Sequence, residues 1–369
     1  MYSQNDLDEA VASGAITADS ANALRAFIEQ QRSTPAVDEE QFRLITGFND
    51  IFVSIAAAIL LFAVGFIGQW IGDRAGLIVD FGGPSPIAPL AVAATSWGLA
   101  LFFTARRRMA LPSILLLLSF VISVLATAAF TLAMGVGAGS LDNNPQLGGV
   151  IAAVSAAIAA ASAWLHWKRF RVPITVAAGA ASVAGIAVGL LVAALGETAE
   201  QAKDVILGFL LFLGIGTFLF AMWWDSSDRE RVTRRSDVAF WLHLLAAPMI
   251  VHPIFTLLGL NKNTATIGEG FVVVLLYVAM GLTALAVDRR ALLVSALAYV
   301  LYALNALFRE FGAVELNVAL TALVIGSALL MLSAFWTQAR ARVVKPLPSG
   351  LRERLPLIDR PMATPAQAA

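Results

Sequence analysis

The chain has 369 residues, 59% of them hydrophobic and 14% charged, and its 25 basic and 25 acidic side chains leave no formal net charge. Its mean hydropathy is +0.79. A soluble domain carries about 25% charged residues, so this composition excludes one and requires lipid to cover much of the apolar surface. The lack of cysteine excludes disulfides, thiolate metal centres, iron–sulfur clusters and a lipidated cysteine anchor.

At the N-terminus, Leu7 and Val11 precede Gly14, and Thr17 then stands as the N-cap of a helix through Gln31 with Leu24, Phe27 and Ile28 on one face. Residues 1–37 are therefore expected to form a cytoplasmic helical hairpin and linker. The apolar stripe is small for an independent core, which points to pairing through residues 5–31 with a second copy or a protein partner. A frayed amphipathic tail is the competing reading. Residues 38–50 follow as a short interfacial helix. The residues before the first apolar run are polar and acid-rich, and that run is too long for the core of a cleaved signal peptide, so the first span is expected to act as the insertion signal.

Ten apolar stretches of about 18 to 24 residues follow, at 51–72, 87–104, 111–134, 147–167, 173–195, 205–224, 238–260, 268–287, 291–308 and 316–336. A helix needs about 20 apolar residues to cross roughly 30 Å of hydrocarbon. A β-barrel would alternate in polarity over segments of about ten residues, whereas Ile114 to Leu118 and Phe209 to Leu213 are apolar throughout. The expected fold is all-α, a polytopic transmembrane bundle of about ten spans with both termini cytoplasmic. Gly185 and Gly189, in an Ala-rich span, are expected to let a neighbouring helix approach closely. The longest connectors are 73–86 and 225–237, too short to hold a soluble catalytic domain.

The orientation rests on Lys and Arg, which stay on the cytoplasmic side in short loops. With an interior N-terminus, 21 of the 25 basic residues fall inside, among them Arg106 to Arg108, Lys168, Arg169, Arg171, Arg229, Arg231, Arg234, Arg235, Arg289 and Arg290. Six Trp, namely Trp164, Trp167, Trp223, Trp224, Trp241 and Trp336, fall near interior ends, where an indole ring anchors at the headgroups. Residues 337–369 hold five of the 14 prolines and six basic residues, and are expected to be mostly disordered, with Arg340, Arg342 and Lys345 against anionic lipid. The partners expected are membrane lipids; the basic arcs need no nucleic acid to explain them.

The seventh span carries His243, Pro248, His252 and Pro253. Two prolines inside one span remove two backbone donors, so this helix is expected to be kinked or broken, and broken spans mark binding sites in many transporters. His252 lies about 22 Å along an ideal helix from Asp237 and His243 about 9 Å, so the deeper His252, beside Pro253, is the first candidate for an intramembrane polar site. The bland alternative is one satisfying hydrogen bond to a neighbouring helix. Weaker candidates are Asp237 and Asp50, which cap helix starts, and Asn305 near the end of the ninth span. His166 and His243 share a similar depth, as a bis-histidine haem would need, but Trp164, Trp167 and Lys168 favour an interfacial His166. Hydrolase, zinc and phosphate-loop strings are absent, so no catalytic residue, metal or cofactor is expected.

The opening LDEAVASGAITADSANALRAFIEQQ, the following DEEQFRLITGFNDIFV and the later SDVAFWLHLLAAPMIVHPIF resemble an uncharacterised bacterial polytopic membrane protein family, a domain of unknown function with a short helical leader. The resemblance implies residence in the inner (plasma) membrane and supplies no substrate. The expected function is a small-solute or lipid-facing permease, the alternative a non-transporting membrane scaffold or sensor acting through its N-terminal hairpin.

Overall fold

Apolar chain that cannot hydrogen-bond to water must satisfy its backbone internally, and the described residues form helices and no strand. The computed structural model describes residues 10–24, 48–80, 82–142, 144–199, 201–229, 231, 233–259, 267–290, 292–293, 297, 301 and 317–357. In chain order its main helices are α1 (Phe48–Ala75), α2 (Ile87–Phe103), α3 (Ala110–Val136), α4 (Pro145–Phe170), α5 (Ile174–Leu195), α6 (Lys203–Ser226), α7 (Arg234–Leu257), α8 (Ile267–Val287), α9 (Asn317–Ala334) and α10 (Trp336–Val344). Six of them, α1 and α3 to α7, are long and apolar enough to cross a membrane, and the bent pair α9 and α10 would make seven. With 17 residues, α2 spans about 26 Å at 1.5 Å per residue, short of a full crossing. Most of the expected ninth span lies outside the described residues.

Outward faces stay apolar. Phe52, Phe62 and Phe66 of α1 and Phe212 and Leu219 of α6 are exposed, a surface of a size that soluble monomers do not present. Hydroxyls within the helices turn back on their own backbone. Ser54, Thr127, Ser182, Thr217 and Thr283 each donate to the carbonyl four residues earlier, which satisfies them without water. In the N-terminal segment, Gly14 has φ +71° and the Thr17 Oγ1 accepts the Ser20 N–H at 3.2 Å, the turn and cap read from the sequence. Ala21 is fully buried there; Leu7, Phe27 and Ile28 lie outside the described residues.

Helices α4 and α5 pack backbone to backbone. A Cβ on Gly189 would stand 2.7 Å from the Ala153 nitrogen and 2.9 Å from the Gly149 carbonyl oxygen, and one on Gly185 would touch the Ala156 Cβ at 3.3 Å. The close approach expected at Gly185 and Gly189 is therefore present.

Helix α7 is the axis of the bundle. Of its most apolar stretch 56% is buried, against 33% or less in the other five long helices. Leu242 and Val238 pack with Ala177 of α5 and Ala221 of α6, Ala247 with Ala284 of α8, and Val251 and Phe255 with Val273 of α8 and Ile325 of α9. Of the expected kink or break, the break is not there: α7 is helical through both Pro248 and Pro253. Pro253 leaves the Met249 carbonyl without its helical donor, and Gly214 of α6 brings its backbone to that point, where an added Cβ would lie 2.9 Å from the Met249 oxygen. The lack of a side chain at Gly214 lets α6 pack closely at the proline-freed turn.

The chain after α9 also departs from expectation. At Phe335 it bends by 76° into α10, and the segment through 357 returns to the bundle end at Val344, Leu355 and Pro356 while residues 348–354 stay exposed; residues 358–369 lie outside the described residues. Val344 and Leu355 are buried with Val287 of α8. Trp336 is 2% exposed and does not serve as an interfacial anchor.

All four non-glycine residues with positive φ among those described lie in turns at this same end: Arg108 (φ 53°), Arg171 (φ 52°), Arg231 (φ 57°) and Asp288 (φ 59°). Turns after α1, α3 and α5, at the other end, take glycine instead, at Gly76, Gly137 and Gly196. We expect Gly189→Leu to lower the thermal midpoint in detergent by the equivalent of about 3 kcal/mol or more, as overpacking against backbone does. Gly98→Ala, where nothing lies within 4 Å, should leave the midpoint within error.

Candidate functional site

Two charged assemblies occupy the end of the bundle where the basic connectors meet. The first is a buried ion network. Asp225, in the last turn of α6, has no exposed surface and accepts a fork from Arg289, with Nη2 at 2.6 Å from Oδ1 and Nε at 3.2 Å from Oδ2. Arg289 Nη2 also donates to the Ser236 carbonyl at 3.0 Å and hydroxyl at 3.2 Å, tying the α8 turn to the start of α7. Arg231 donates to the Asp288 carboxylate at 3.0 Å and to the Val287 carbonyl at 2.9 Å. Trp336 Nε1 donates to the other Asp288 oxygen at 2.7 Å, with the Arg290 guanidinium 4.9 Å over its ring. Arg340 of α10, 3.7 Å from Asp288, donates to the carbonyls of Pro356 and Leu357.

Asp225, Arg231, Asp288, Arg289 and Arg340 are all buried, and Arg290 is half-buried. Charges removed from water are tolerated only when paired with good geometry, and here three guanidiniums meet two carboxylates directly. Asp228, also buried, supplies a third acid and accepts both the N–H and the hydroxyl of Thr233, the α7 N-cap.

His243 lies about two helical turns along α7 from Ser236 and adjoins this network at Asp225. It is fully buried, 3.9 Å from Asp225, with Phe218 edge-on at 5.3 Å. Its Nδ1 meets the Ala239 carbonyl at 2.8 Å and so carries the proton. Its Nε2 is buried with no hydrogen-bond partner among the described residues. His166 lies apart, enclosed by Trp97, Phe120 and Phe170.

The second assembly is a cleft of about 500 Å³ between the α2–α3 turn, the α4–α5 turn and the start of α7. Arg108, Arg169, Arg171 and Arg234 line it with Asp237 and Trp241. Among the described residues none of the four arginines forms an ion pair.

The residues singled out from the sequence separate. His243 joins the ion network and Asp237 the cleft. His252 and Pro248 are exposed on α7 while Pro253 is buried, so the two histidines take the opposite order of enclosure from the one depth along the helix suggested. Asp50 is buried at the start of α1. Asn305 lies outside the described residues. Among those described, no group of His, Asp and Glu is placed to hold a metal ion. Sequence reasoning missed Asp225, Asp288, Arg231, Arg289 and Arg340 as a unit, having read the arginines as orientation markers and Arg340 as lipid-facing. The available signal was acidic: Asp225, Asp228 and Asp288 stand among the arginines of connectors read only for their basic residues, and the 225–237 connector carries Glu230 and Asp237 besides.

Removing one partner of a buried pair costs about 3–5 kcal/mol, and we expect Arg289→Ala to lower the unfolding midpoint accordingly, while the exposed Arg235→Ala shifts it within about 0.5 kcal/mol. Thermal unfolding of the purified variants in one detergent checks the difference. Compared with known proteins, the chain matches no family model, no curated protein and no solved structure.

Proposed function

We propose that the chain is a multi-pass inner-membrane protein of about ten spans, of the uncharacterised bacterial kind its leader and seventh span resemble, with the arginine-lined end and both termini in the cytoplasm. The gathering of basic connectors at one end supports this orientation, because such connectors resist translocation. Within that frame it acts as a small-solute or lipid-facing permease organised around α7. One observation carries the reading: the most enclosed helix of the bundle holds a fully buried imidazole whose Nε2 has no partner among the described residues. An ionisable group kept at such a position marks function more often than packing.

A second reading has its own support. The N-terminal turn and cap form as drawn, with Ala21 wholly buried, which suits a scaffold or sensor whose hairpin pairs with a partner through residues 5–31.

Reporter fusions in the 106–108 turn and at both termini should report the same side of the membrane. In proteoliposomes offered a panel of labelled small anions and neutral solutes, the permease reading requires one solute to cross faster than in protein-free vesicles. His243→Ala should slow that flux about tenfold, the effect of a 1.4 kcal/mol loss, and the exposed His252→Ala should not. No flux for any solute, with loss of a pulled-down partner on deleting residues 1–37, would transfer the function to the hairpin.

A further inference from the structure

The buried network is nearly neutral within itself, whereas the cleft beside it is not. Four arginines and one carboxylate, Asp237, line about 500 Å³, a volume within the range of small-molecule sites, and the Arg169 guanidinium lies 5.5 Å over the ring of Phe170, another lining residue. The lining includes the starts of three helices, at Met109 and Ala110 of α3, at Val172 and Pro173 of α5 and at Arg234 of α7, and the ends of two, at Thr104 and Ala105 after α2 and at Arg169 to Arg171 of α4, so the helix dipoles partly offset one another and the imbalance is carried by the side chains. Neither Met109 nor Pro173 provides a side-chain cap, and in the first turn of α5 the Thr175 and Val176 N–H groups donate instead to the Val172 and Pro173 carbonyls.

Two of the four arginines, Arg108 and Arg171, adopt the left-handed conformation in which glycine is the unstrained residue. At helix ends of this kind glycine is the common occupant. A guanidinium held there at the expense of backbone strain is a side chain with a task.

From this geometry we infer that the cleft binds a phosphate group bearing a hydrogen-bond donor, glycerol phosphate being the smallest example, either as an anionic lipid headgroup or as a free phosphate ester. Guanidinium forks match phosphate oxygens two at a time. Asp237 accepts from a hydroxyl of the same ligand, and Trp241 supplies an apolar wall beside it. The assignment deepens the permease reading by naming its ligand class, but equilibrium binding tests it whether or not solute crosses.

The full-length protein in neutral detergent is titrated calorimetrically with glycerol 3-phosphate and with inorganic phosphate. It is also placed in nanodiscs of phosphatidylcholine with and without phosphatidylglycerol and examined for retained lipid by native mass spectrometry. The expected result is saturable binding of glycerol 3-phosphate, tighter than inorganic phosphate, or selective retention of phosphatidylglycerol. The first outcome identifies a soluble ester and the second alone a headgroup. The double variant Arg108→Gly/Arg171→Gly should weaken binding about a hundredfold, tenfold for each guanidinium removed. Because glycine relieves the left-handed strain, this variant should unfold at the same temperature as the parent or higher, so the loss cannot be assigned to misfolding. Arg74→Gln, at the opposite end of the bundle, should bind as the parent does. Absence of binding to all the probes, or equal binding by parent and double variant, overturns the inference; a failure of flux with binding intact overturns only transport.

Discussion

A carboxylate with no exposed surface governs the charged end of this bundle. Asp225 is removed from water at a cost of several kcal/mol, and the two-point fork from Arg289, 64 residues away in sequence, makes that position tenable. Once Arg289 is held, its neighbour Asp288 is held also, and Asp288 in turn receives Arg231 and the Trp336 indole. Trp336 begins α10, and Arg340 one turn later reaches the carbonyls of residues 356 and 357. Three connectors and the C-terminal segment thus take their positions from one desolvated anion. Such a network adds less to net stability than an apolar core of equal volume would; its effect is to specify which ends meet.

The six long apolar helices, the all-helical character of the described residues, the Gly189 contact and the Thr17 cap were legible in the sequence because each depends on local composition and spacing. The rest was not, for a common reason. Which face of α7 is enclosed depends on what packs against it, so counting residues from Asp237 ranked His252 above His243, while Phe218 and Asp225 of α6 lie against the latter and the former is exposed. Two prolines in α7 suggested a kink or break; Gly214, in another helix, packs closely at Met249, where α7 continues unbroken. Proline and basic content after residue 336 suggested a solvated tail, and only the position of Asp288 shows why Trp336 and Arg340 are drawn inward. Pairings between distant segments are invisible to a local reading of charge.

The distribution of left-handed residues separates the two ends more sharply than net charge does. A turn that needs positive φ is made most easily by glycine, and the turns after α1, α3 and α5 obey that rule. At the opposite end the corresponding positions hold Arg108, Arg171, Arg231 and Asp288, each strained by about 1–2 kcal/mol relative to the right-handed alternative. Composition biased only by topology would ask for arginine somewhere in the turn, not at the one position where its backbone is disfavoured. Arg231 and Asp288 pair with each other, which explains their retention from within the fold.

Arg171 closes α4 as its left-handed C-cap, its N–H donating to the Trp167 carbonyl, but no ion pair among the described residues accounts for the guanidinium of Arg108 or of Arg171. Both line the cleft with Arg169 and Arg234, and the single acid there, Asp237, leaves an excess of three positive side-chain charges. An excess of that size within about 500 Å³ raises the local concentration of anions and lowers the concentration of cations. Because Ser236 belongs to the ion network and Asp237 to the cleft, the first turn of α7 is shared by both. The network closes its charges inside the protein, the cleft leaves its own open, and α7 is the rigid element on which the two are juxtaposed.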